Sequence, residues 1–339
     1  MRSLVLWPSS RCNLKCRYCY AAEVCAEDME FDTVKKAIRF MEGKAYKLQL
    51  AGGEPLLNLS LIARILEYVC RQENCQGISM QTNGVLVDND AVGLIKKYRI
   101  AMGVSLDGSP NTNERQRGGT KGVIEGIECL GRHGISINVN CVVTAYNAGH
   151  LCEMVEMAAY LKNIKGIGLD LLRRAGRAGK DDEDRAARPP ESSQLIKGLE
   201  NLYMRAQKIN DALPYERQIA IREFTKAKVQ LQKQTSCRDY CYAGQGMSYV
   251  VLPDGDCYPC GSLAGNEKYR MGNVHSTIRP VRVRYETPVE CGNCRYKNIC
   301  TGCCPSRELL QDGFDRLDCV MKKYIFEKME KQGGSNETA

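Results

Sequence analysis

Short apolar runs rich in β-branched residues alternate with longer amphipathic stretches over the first half of the chain. The short runs predict six β-strands, at residues 3–7, 47–53, 77–84, 102–108, 136–144 and 166–172. The longer stretches predict helices over residues 58–72, 88–98, 120–133 and 147–163, and a first helix with Asp32 as N-cap and Gly43 at its end. Strands and helices that alternate in this way form a parallel sheet, whose carboxyl-terminal rim is where ligands bind.

The composition changes twice after the last of these strands. Residues 173–190 are charged and end in two prolines, which predicts an exposed linker, and a helical pattern follows to about residue 235. Ten of the 19 cysteines then fall between Cys237 and Cys319, amid Gly, Pro and Asp turns. We therefore predict an α/β domain at 1–190, a helical bridge at 191–236, a metal-stapled domain at 237–325 and a tail at 326–339.

Charge and hydropathy narrow the class of protein. The net charge of +8 suits an anionic partner, but the basic residues form no long run or aromatic-basic motif, so we expect no nucleic-acid binding. No segment approaches the ~20 apolar residues of a membrane helix, and no signal peptide is recognisable, so we expect a cytoplasmic protein. Thiols stay reduced in the cytosol, which favours metal binding over disulfides for these cysteines.

The densest cysteine group, CNLKCRYC, follows the first predicted strand and contains Cys12, Cys16 and Cys19. A zinc site needs a fourth ligand. The three histidines are distant in sequence, so Cys25 is the residue that could supply it. A four-iron cluster held by three thiolates would instead leave one iron without a protein ligand. The spacing of this triplet taken alone leaves both interpretations open.

The triplet, with Tyr18 before its last cysteine, resembles the cluster-binding loop of radical S-adenosylmethionine enzymes. Further matching motifs follow successive predicted strands in the same order: GGEP at 52–55, QTNG at 81–84, SLDG at 105–108 and NERQRGG at 113–119. The resemblance covers about residues 1–180. It implies an α/β fold, a partial (β/α)6 TIM-like barrel.

This resemblance also implies the cofactor chemistry. The open iron would bind S-adenosylmethionine, and an electron would cleave the sulfonium to give a 5′-deoxyadenosyl radical that abstracts hydrogen from substrate. By similarity, Glu54 would accept from the ammonium group, Ser105 and Asp107 would face the ribose, and Arg117 would pair with the carboxylate. The full set of implied cofactor contacts is Tyr18, Gly52, Gly53, Glu54, Asn83, Ser105, Asp107 and Arg117. A reducing partner such as ferredoxin or flavodoxin is implied as well, whereas no catalytic residue is assigned.

The C-terminal cysteines resemble the seven-cysteine pattern of the SPASM domain, with Cys237 as an eighth. The resemblance implies auxiliary 4Fe–4S cluster I on Cys237, Cys241, Cys260 and Cys304, and auxiliary 4Fe–4S cluster II on Cys291, Cys294, Cys300 and Cys319. Three 4Fe–4S clusters are then expected in all. Zinc ribbons remain an alternative for these cysteines taken alone, and Cys257 or Cys303 could replace a neighbour as ligand. The other thiols, Cys25, Cys70, Cys75, Cys129, Cys141 and Cys152, are interpreted as packed free cysteines.

SPASM-bearing enzymes mostly modify ribosomal peptides or proteins, so we expect such a substrate and a thioether or carbon–carbon crosslink. Relatives that make formylglycine, the anaerobic sulfatase maturases, carry an Asp after the cysteine matched by Cys260, where this chain has Gly261. Formylglycine formation is therefore the alternative, with Asp254 or Asp256 as a replacement base. An iron–sulfur electron carrier and a zinc-stapled interaction protein are the non-enzyme alternatives.

Recognition of a leader peptide is a separate question. Because the cluster motif begins at residue 12, we expect a leader to be recognised by a separate leader-binding protein, by residues 173–190 or by the barrel mouth.

Overall fold

A parallel sheet forms the centre of the computed structural model, which describes residues 1–25, 27–179, 183–233, 241–284, 286–311 and 316–335. The strands are β1 (Arg2–Ser9), β2 (Tyr46–Gly52), β3 (Cys75–Thr82), β4 (Ala101–Ser105), β5 (Ile137–Val143), β6 (Ile164–Leu171), β7 (Ala220–Ile221), β8 (Ser248–Val251), β9 (Asp256–Tyr258) and β10 (Gly272–Asn273). Within the described residues they form one ten-stranded sheet in the order β10-β9-β8-β1-β2-β3-β4-β5-β6-β7. The strands β1 to β6 pair in sequence order and are all parallel. The predicted α/β fold class, a partial barrel, is confirmed.

Helices connect these strands and cover the outer face of the sheet. They are α1 (Phe31–Arg39), α2 (Leu59–Val69), α3 (Asn89–Lys97), α4 (Pro110–Gln116), α5 (Thr120–Arg132), α6 (Glu153–Leu161), α7 (Ser192–Asp211), α8 (Arg222–Lys233), α9 (Val289–Gly292), α10 (Pro305–Leu310) and α11 (Arg316–Ser335). In the part of the chain that the structure describes, none of these helices has the length and apolarity that crossing a bilayer requires.

Alternation along the strands separates a core face from an inner face. In β5, Ile137, Val139 and Cys141 are buried against the helices, whereas Asn138 and Asn140 point to the other side. Each fully buried aliphatic side chain of this kind contributes about 1.5–3 kcal/mol. The polar faces of the strands line an inner cavity of about 440 Å³, the barrel lumen.

Three elements differ from the sequence-based expectation. The first helix begins at Phe31 with Glu30 as N-cap, so the prediction of Asp32 as N-cap was wrong; Asp32 lies in the first turn and pairs with Lys36 at 2.9 Å. The helix α4 was missed inside the SLDG-to-RGG loop, although Pro110 at its first turn is a start signal. The stretch after residue 191 contains two helices, α7 and α8, separated by the short strand β7.

The segment after β6 was expected to be an exposed linker, and that expectation was wrong for most of its described part. Ala178, Ala186 and Ala187 are buried, and two short 3₁₀ turns form at Gly176–Gly179 and Arg185–Ala187. Their small side chains allow the segment to lie flat on the loop that carries Cys16.

The cysteine-rich segment shares the sheet and the core of the barrel. The strand β8 pairs in parallel with β1, and β9 and β10 extend this edge in antiparallel fashion. The helix α11 runs through residue 325, the predicted end of the metal-stapled domain, and buries Ile325, Phe326 and Met329 in the main core. The predicted boundary at 325 therefore falls inside one helix, and the boundary at 237 lies outside the described residues.

Candidate functional site

The cluster loop, residues 10–20, leaves the carboxyl end of β1 and carries three thiols at different depths. Cys12 is exposed, Cys19 is half-buried and Cys16 is buried. Burial raises the pKa of the Cys16 thiol, Arg117 lowers it, and the nearby thiols of Cys19 and Cys12 raise it further. The structure thus brings the triplet together beside a guanidinium group.

The GGEP turn after β2 holds the backbone of the cluster loop. Gly53 N donates to Ser9 O at 3.0 Å, and Glu54 N donates to Arg11 O at 2.8 Å. A Cβ atom at Gly53 would lie 2.2 Å from Arg11 O, so only glycine permits this approach. Gly52 has φ +124°, and a Cβ there would lie 2.5 Å from Ser9 O. These glycines therefore serve a contact within the chain, in addition to any contact with a cofactor.

Glu54 connects the ends of β2 and β3 beneath the cluster loop. Its buried carboxylate accepts from Leu56 N at 3.0 Å, Thr82 Oγ1 at 2.7 Å and Asn83 N at 2.7 Å. Burial raises the pKa of Glu54, and these three donors oppose that shift. A carboxylate offers about four acceptor positions, so one remains for a further donor.

Asn83 reaches from β3 to the thiol triplet. Its Nδ2 donates to Asn13 Oδ1 at 2.7 Å and lies 3.9 Å from Cys12 Sγ. The sequence-predicted Glu54 and Asn83 are therefore brought to the same place as the thiols.

Asp107 sits at the end of β4 with both carboxylate oxygens used by the chain. The Tyr18 hydroxyl and Gln116 Nε2, the latter at 2.9 Å, donate to Oδ2, and Val142 N donates to Oδ1 at 2.9 Å. Asp107 thus fixes the aromatic ring of the cluster loop against the end of β5. Ser105 instead faces the lumen, where its Oγ accepts from Gln81 Nε2 at 3.0 Å.

Arg117 supplies a positive charge between Tyr18 and Cys16. Its Nη1 donates to the Tyr18 hydroxyl at 2.5 Å, whereas its buried Nε has no hydrogen-bond partner among the residues that the structure describes. An unsatisfied buried donor of this kind costs about 1–3 kcal/mol. The orphaned Nε therefore fits an anionic group bound beside the triplet.

The donor set argues against a single metal ion at the triplet. Among the residues that the structure describes, no three His, Cys, Asp or Glu side chains are grouped so as to hold one ion. Thiolates that share one zinc ion, at ~2.3 Å from it, stand about 4 Å apart, whereas a cubane accepts thiolates that are more widely spaced. Cys25, the proposed fourth zinc ligand, is exposed, and its thiol contacts Glu27 Oε1 at 3.3 Å. Three thiols, an open acceptor and an orphaned cationic donor fit a three-cysteine cluster with a zwitterionic ligand.

The thiols assigned to auxiliary cluster I lie near one another as far as they are described; Cys237 falls outside the described residues. Burial raises the pKa of Cys241, the backbone groups of Gly244 and Ala243 lower it, and the thiols of Cys304 and Cys260 raise it. The structure therefore groups the three described members of the assigned set.

The thiols assigned to auxiliary cluster II are also brought together. Burial raises the pKa of Cys319, Lys323 lowers it, and Cys291, Cys294 and Cys300 raise it.

Cys257 and Cys303, the two cysteines that could replace a neighbouring ligand, lie in different places. Cys257 is fully buried in the main core on β9, and burial followed by the charge of Asp256 raises its pKa to about 12. Cys303 is also buried, and burial followed by Asp318 and Glu308 raises its pKa. The core position of Cys257 favours the interpretation of a packed thiol over that of a ligand.

A charged network that the sequence analysis did not identify ties β6 to the cysteine-rich segment. Arg307, almost fully buried, donates to Asp318 at 2.7 Å and to Asp170 at 2.9 Å. Asp318 also accepts from Cys304 N at 2.9 Å, and Arg173 Nη2 lies 3.9 Å from Cys304 Sγ. The signal available in the sequence was Asp170 inside the apolar run 166–172, with arginines directly after it.

Asp170 is held ionised by this network. Burial alone would raise its pKa, but Arg173 and Arg307 overcome that effect and lower it to about 2.

The mouth of the barrel is completed by Tyr20 and the loop after β9. Tyr20 is 38% exposed, and its hydroxyl lies within electrostatic reach of Arg173, Cys260 and Cys19. A Cβ atom at Gly261 would lie 3.5 Å from the Tyr20 hydroxyl oxygen. Tyr20 therefore stands between the thiol triplet and the first auxiliary thiol group.

A parallel partial barrel with a cysteine triplet at its rim defines a class of enzymes that use iron–sulfur clusters for radical chemistry. The Radical SAM superfamily profile matches residues 8–158. An uncharacterized protein of Methanocaldococcus jannaschii is 30% identical over 277 residues, which cover 78% of this chain and 86% of that protein. The chain belongs to the Radical SAM superfamily, as its cysteine triplet and loop motifs predicted.

Two further matches extend over the C-terminal segment. A cysteine-type anaerobic sulfatase-maturating enzyme of Clostridium perfringens is 25% identical over 373 residues, covering 96% of this chain and 95% of that one. The solved structure of native anSMEcpe with bound AdoMet and the Cp18Cys peptide has a TM-score of 0.79 at 22% identity, covering 98% of this chain and 99% of that one. The chain is therefore a radical SAM enzyme of the sulfatase-maturase and SPASM type, with the same overall fold.

Proposed function

We propose that this radical SAM enzyme modifies a ribosomally made peptide or protein and forms a thioether or carbon–carbon crosslink in it. The proposal is supported by the relatedness to the maturases across nearly the whole chain. It also draws on the solved maturase structure that contains a peptide.

The residues that would hold the cofactors follow from the site. Cys12, Cys16 and Cys19 would bind the radical 4Fe–4S cluster, the free acceptor position of Glu54 would receive the amino group of S-adenosylmethionine, and Arg117 Nε would bind its carboxylate. When bound, these groups supply a 5′-deoxyadenosyl radical, which removes a hydrogen atom from the substrate. Ser105, at the upper end of the lumen, is a candidate ribose contact.

The observation that carries the choice of crosslinking is the absence of a carboxylate at Gly261. Its position against Tyr20 leaves room for a side chain, yet the chain has none there. Asp170, the acid close to Tyr20, has a pKa of about 2 because Arg173 and Arg307 offset its burial, so it is a poor proton acceptor near neutral pH.

The two replacement bases considered from the sequence both accept hydrogen bonds within the chain, but burial raises the pKa of Asp254, which keeps it as the candidate base for formylglycine formation. Asp256 pairs with Arg270 at 2.5 Å and accepts from Asn273 at 2.7 Å. Asp254 accepts from Asp256 N at 2.9 Å in the turn before β9. Crosslinking does not require a base at this point if a metal ion or cluster binds the substrate thiol, because coordination deprotonates it.

Formylglycine formation is the second candidate function. It is favoured by the similarity to the cysteine-type sulfatase-maturating enzyme, which extends over 96% of this chain. The two candidates share the radical step and differ in what happens to the substrate thiol.

Mass spectrometry of a co-expressed substrate separates these candidates. We expect a cysteine-containing peptide encoded beside this gene to lose two hydrogens for each crosslink when it is produced anaerobically with the enzyme. The variant Cys12→Ala/Cys16→Ala/Cys19→Ala is the matched control and should leave the peptide unchanged. Conversion of the cysteine –CH2SH group to an aldehyde, in which oxygen replaces sulfur and two hydrogens are also lost, would instead establish formylglycine formation and reject crosslinking.

A further inference from the structure

A wide basin lies directly against the cluster loop, and five of its eleven lining residues are basic. It encloses about 1030 Å³ between the cluster loop, the end of α4 and the segment after β6. Its basic side chains are Lys15, Arg17, Arg115, Arg117 and Arg177, and its acidic one is Glu114. We call this surface the cationic basin.

The floor of the cationic basin is the backbone that carries the thiols. Asn13, Leu14 and Lys15 occupy the interval between Cys12 and Cys16. Cys12 itself is exposed. A protein seated in the basin would therefore be separated from the triplet by little more than the cluster loop.

The loop is held firmly in this position. Arg17 N donates to Gln116 O at 2.9 Å, and Arg177 Nη1 donates to Cys16 O at 2.9 Å. Gly176 lies so close that a Cβ atom there would be 2.3 Å from Cys19 O. The basin is thus a rigid surface on a fixed loop, which suits repeated docking.

Among the residues that the structure describes, the positive charge of the basin is only partly compensated. Asp184 accepts from Arg115 at 2.9 Å and lies 3.8 Å from Arg17. Glu114 accepts from Thr120 N at 2.9 Å, at the start of α5. The side chains of Arg17 and Arg115 are nevertheless 57% and 42% exposed, so a partner can reach both.

The basin borders the proposed cofactor site at Arg117 but shares no lining residue with the barrel lumen, where a substrate would react. The barrel lumen is lined by other residues, among them Gln81, Asn140 and Arg222, and none of the basin residues is shared with it. An occupant of the basin would contact the outside of the cluster loop. Such a location suits a protein that delivers electrons to the cluster better than a peptide that must meet the radical.

We propose that the cationic basin is the docking surface for an acidic one-electron carrier protein of the flavodoxin class. This inference rests on the proposed function, because an electron is needed only if S-adenosylmethionine is cleaved. In each cycle the reduced carrier loses one electron and is oxidised. That electron reduces the sulfonium, whose bond from sulfur to the 5′-carbon breaks to give methionine and the 5′-deoxyadenosyl radical.

Charge reversal in the basin provides the test. We compare two basin variants with one control. The basin variants are Lys15→Glu/Arg17→Glu and, outside the cluster loop, Arg115→Gln. The matched control, Arg71→Glu/Lys96→Glu, reverses two charges at the carboxyl ends of α2 and α3. The reconstituted enzymes are assayed for 5′-deoxyadenosine at limiting concentrations of reduced flavodoxin, and separately with dithionite.

We expect the flavodoxin-driven rate of the double basin variant to fall about tenfold or more at low salt, because complementary charge mainly accelerates association. Arg115→Gln should show a smaller loss in the same direction. For Arg115→Gln the dithionite-driven rate and the iron content should match the wild type, and the flavodoxin-driven rate of Lys15→Glu/Arg17→Glu is divided by its own dithionite-driven rate. The control variant should behave as wild type with both reductants. Added salt should reduce the difference between wild type and basin variants.

Three results would overturn the inference. The first is a wild-type flavodoxin-driven rate in both basin variants. The second is a loss of peptide modification with dithionite in the Arg115→Gln variant at full iron content, which would assign the basin to an acidic substrate peptide. The third is the absence of 5′-deoxyadenosine from the wild type even with dithionite, which would reject the proposed function itself.

Discussion

The sequence motif and the geometry both indicate that Arg117 binds an anionic group. Its Nη1 donates to the Tyr18 hydroxyl, but its buried Nε finds no hydrogen-bond partner in the described part of the chain. Charged hydrogen bonds are worth about 1.5–3 kcal/mol. We therefore predict that Arg117→Gln weakens S-adenosylmethionine binding about ten- to a hundredfold.

Calorimetry on the reconstituted enzyme measures this change. Arg117→Lys is the matched control: it keeps the charge but loses the guanidinium geometry, and it should bind with intermediate affinity. Equal affinity of the Gln variant and the wild type would show that the orphaned Nε does not face the cofactor.

The sequence predicted which residues lie at the rim of the sheet better than it predicted the contacts that those residues make. The triplet, GGEP and SLDG were identified because they resemble the motifs of one family and follow successive predicted strands in the same order. The orientation of Asp107 was not predictable, because its partners Tyr18 and Val142 come from other loops, 89 and 35 positions away. Sequence spacing places a carboxylate at the rim, whereas tertiary packing decides which donors use it.

At the scale of elements, the buried pair of Arg307 and Asp318 joins α10 to α11, and Arg307 also joins them to Asp170 of β6. Both side chains are inaccessible to solvent, at 1% and 0% exposure. Removing one partner of a buried pair typically costs about 3–5 kcal/mol, because the other charge is left uncompensated. We predict that Asp318→Asn lowers the free energy of unfolding of the holoenzyme by about this amount.

Anaerobic urea unfolding measures the loss, and a double-mutant cycle isolates the pair. Arg307→Met/Asp318→Asn should be less destabilised than the sum of the two single variants, by at least about 1 kcal/mol. Additive effects would mean that the two side chains stabilise the protein through separate contacts, Arg307 with Asp170 and Asp318 with the N–H of Cys304.

Elements with a strong period were predicted well, and short or long-range ones were not. The strands β1 to β6 and the helices between them follow the alternation of apolar and polar residues. The helix α4 has only seven residues with a polar pattern, PNTNERQ, so its period was hidden. The pairing of β8 with β1 joins Ser248 to Ser3, and no local signal specifies a contact over such a separation.

At the scale of the whole molecule, the cysteine-rich segment is built onto the barrel. The strand β8 extends the sheet from β1, the very strand that leads into the cluster loop. The helix α11 packs on α7 and α8, and Lys328 pairs with Glu200 of α7 at 2.6 Å. This arrangement sets Cys260, Tyr20 and Cys19 within electrostatic reach of one another at a single mouth.

The three thiol groups nevertheless lie on different elements, and this separation leads to a prediction about metal content. The triplet lies on the loop after β1, whereas Cys291, Cys294, Cys300 and Cys319 lie around α9 and α11. We predict about twelve irons in the reconstituted wild type, from three four-iron clusters, and about eight in Cys12→Ala/Cys16→Ala/Cys19→Ala, because the auxiliary ligands are untouched.

Iron and acid-labile sulfide analysis, with electron paramagnetic resonance of the reduced protein, measures these values. Cys70→Ala is the matched control, since Cys70 is an exposed thiol at the end of α2, and it should retain all the iron. If the triple variant instead lost nearly all its iron, the cluster loop would be required for the auxiliary segment to fold, and the shared edge of β1 and β8 would be the route of that dependence. Retention of the full wild-type iron content would show that the triplet binds no cluster, and the radical chemistry would then have no source.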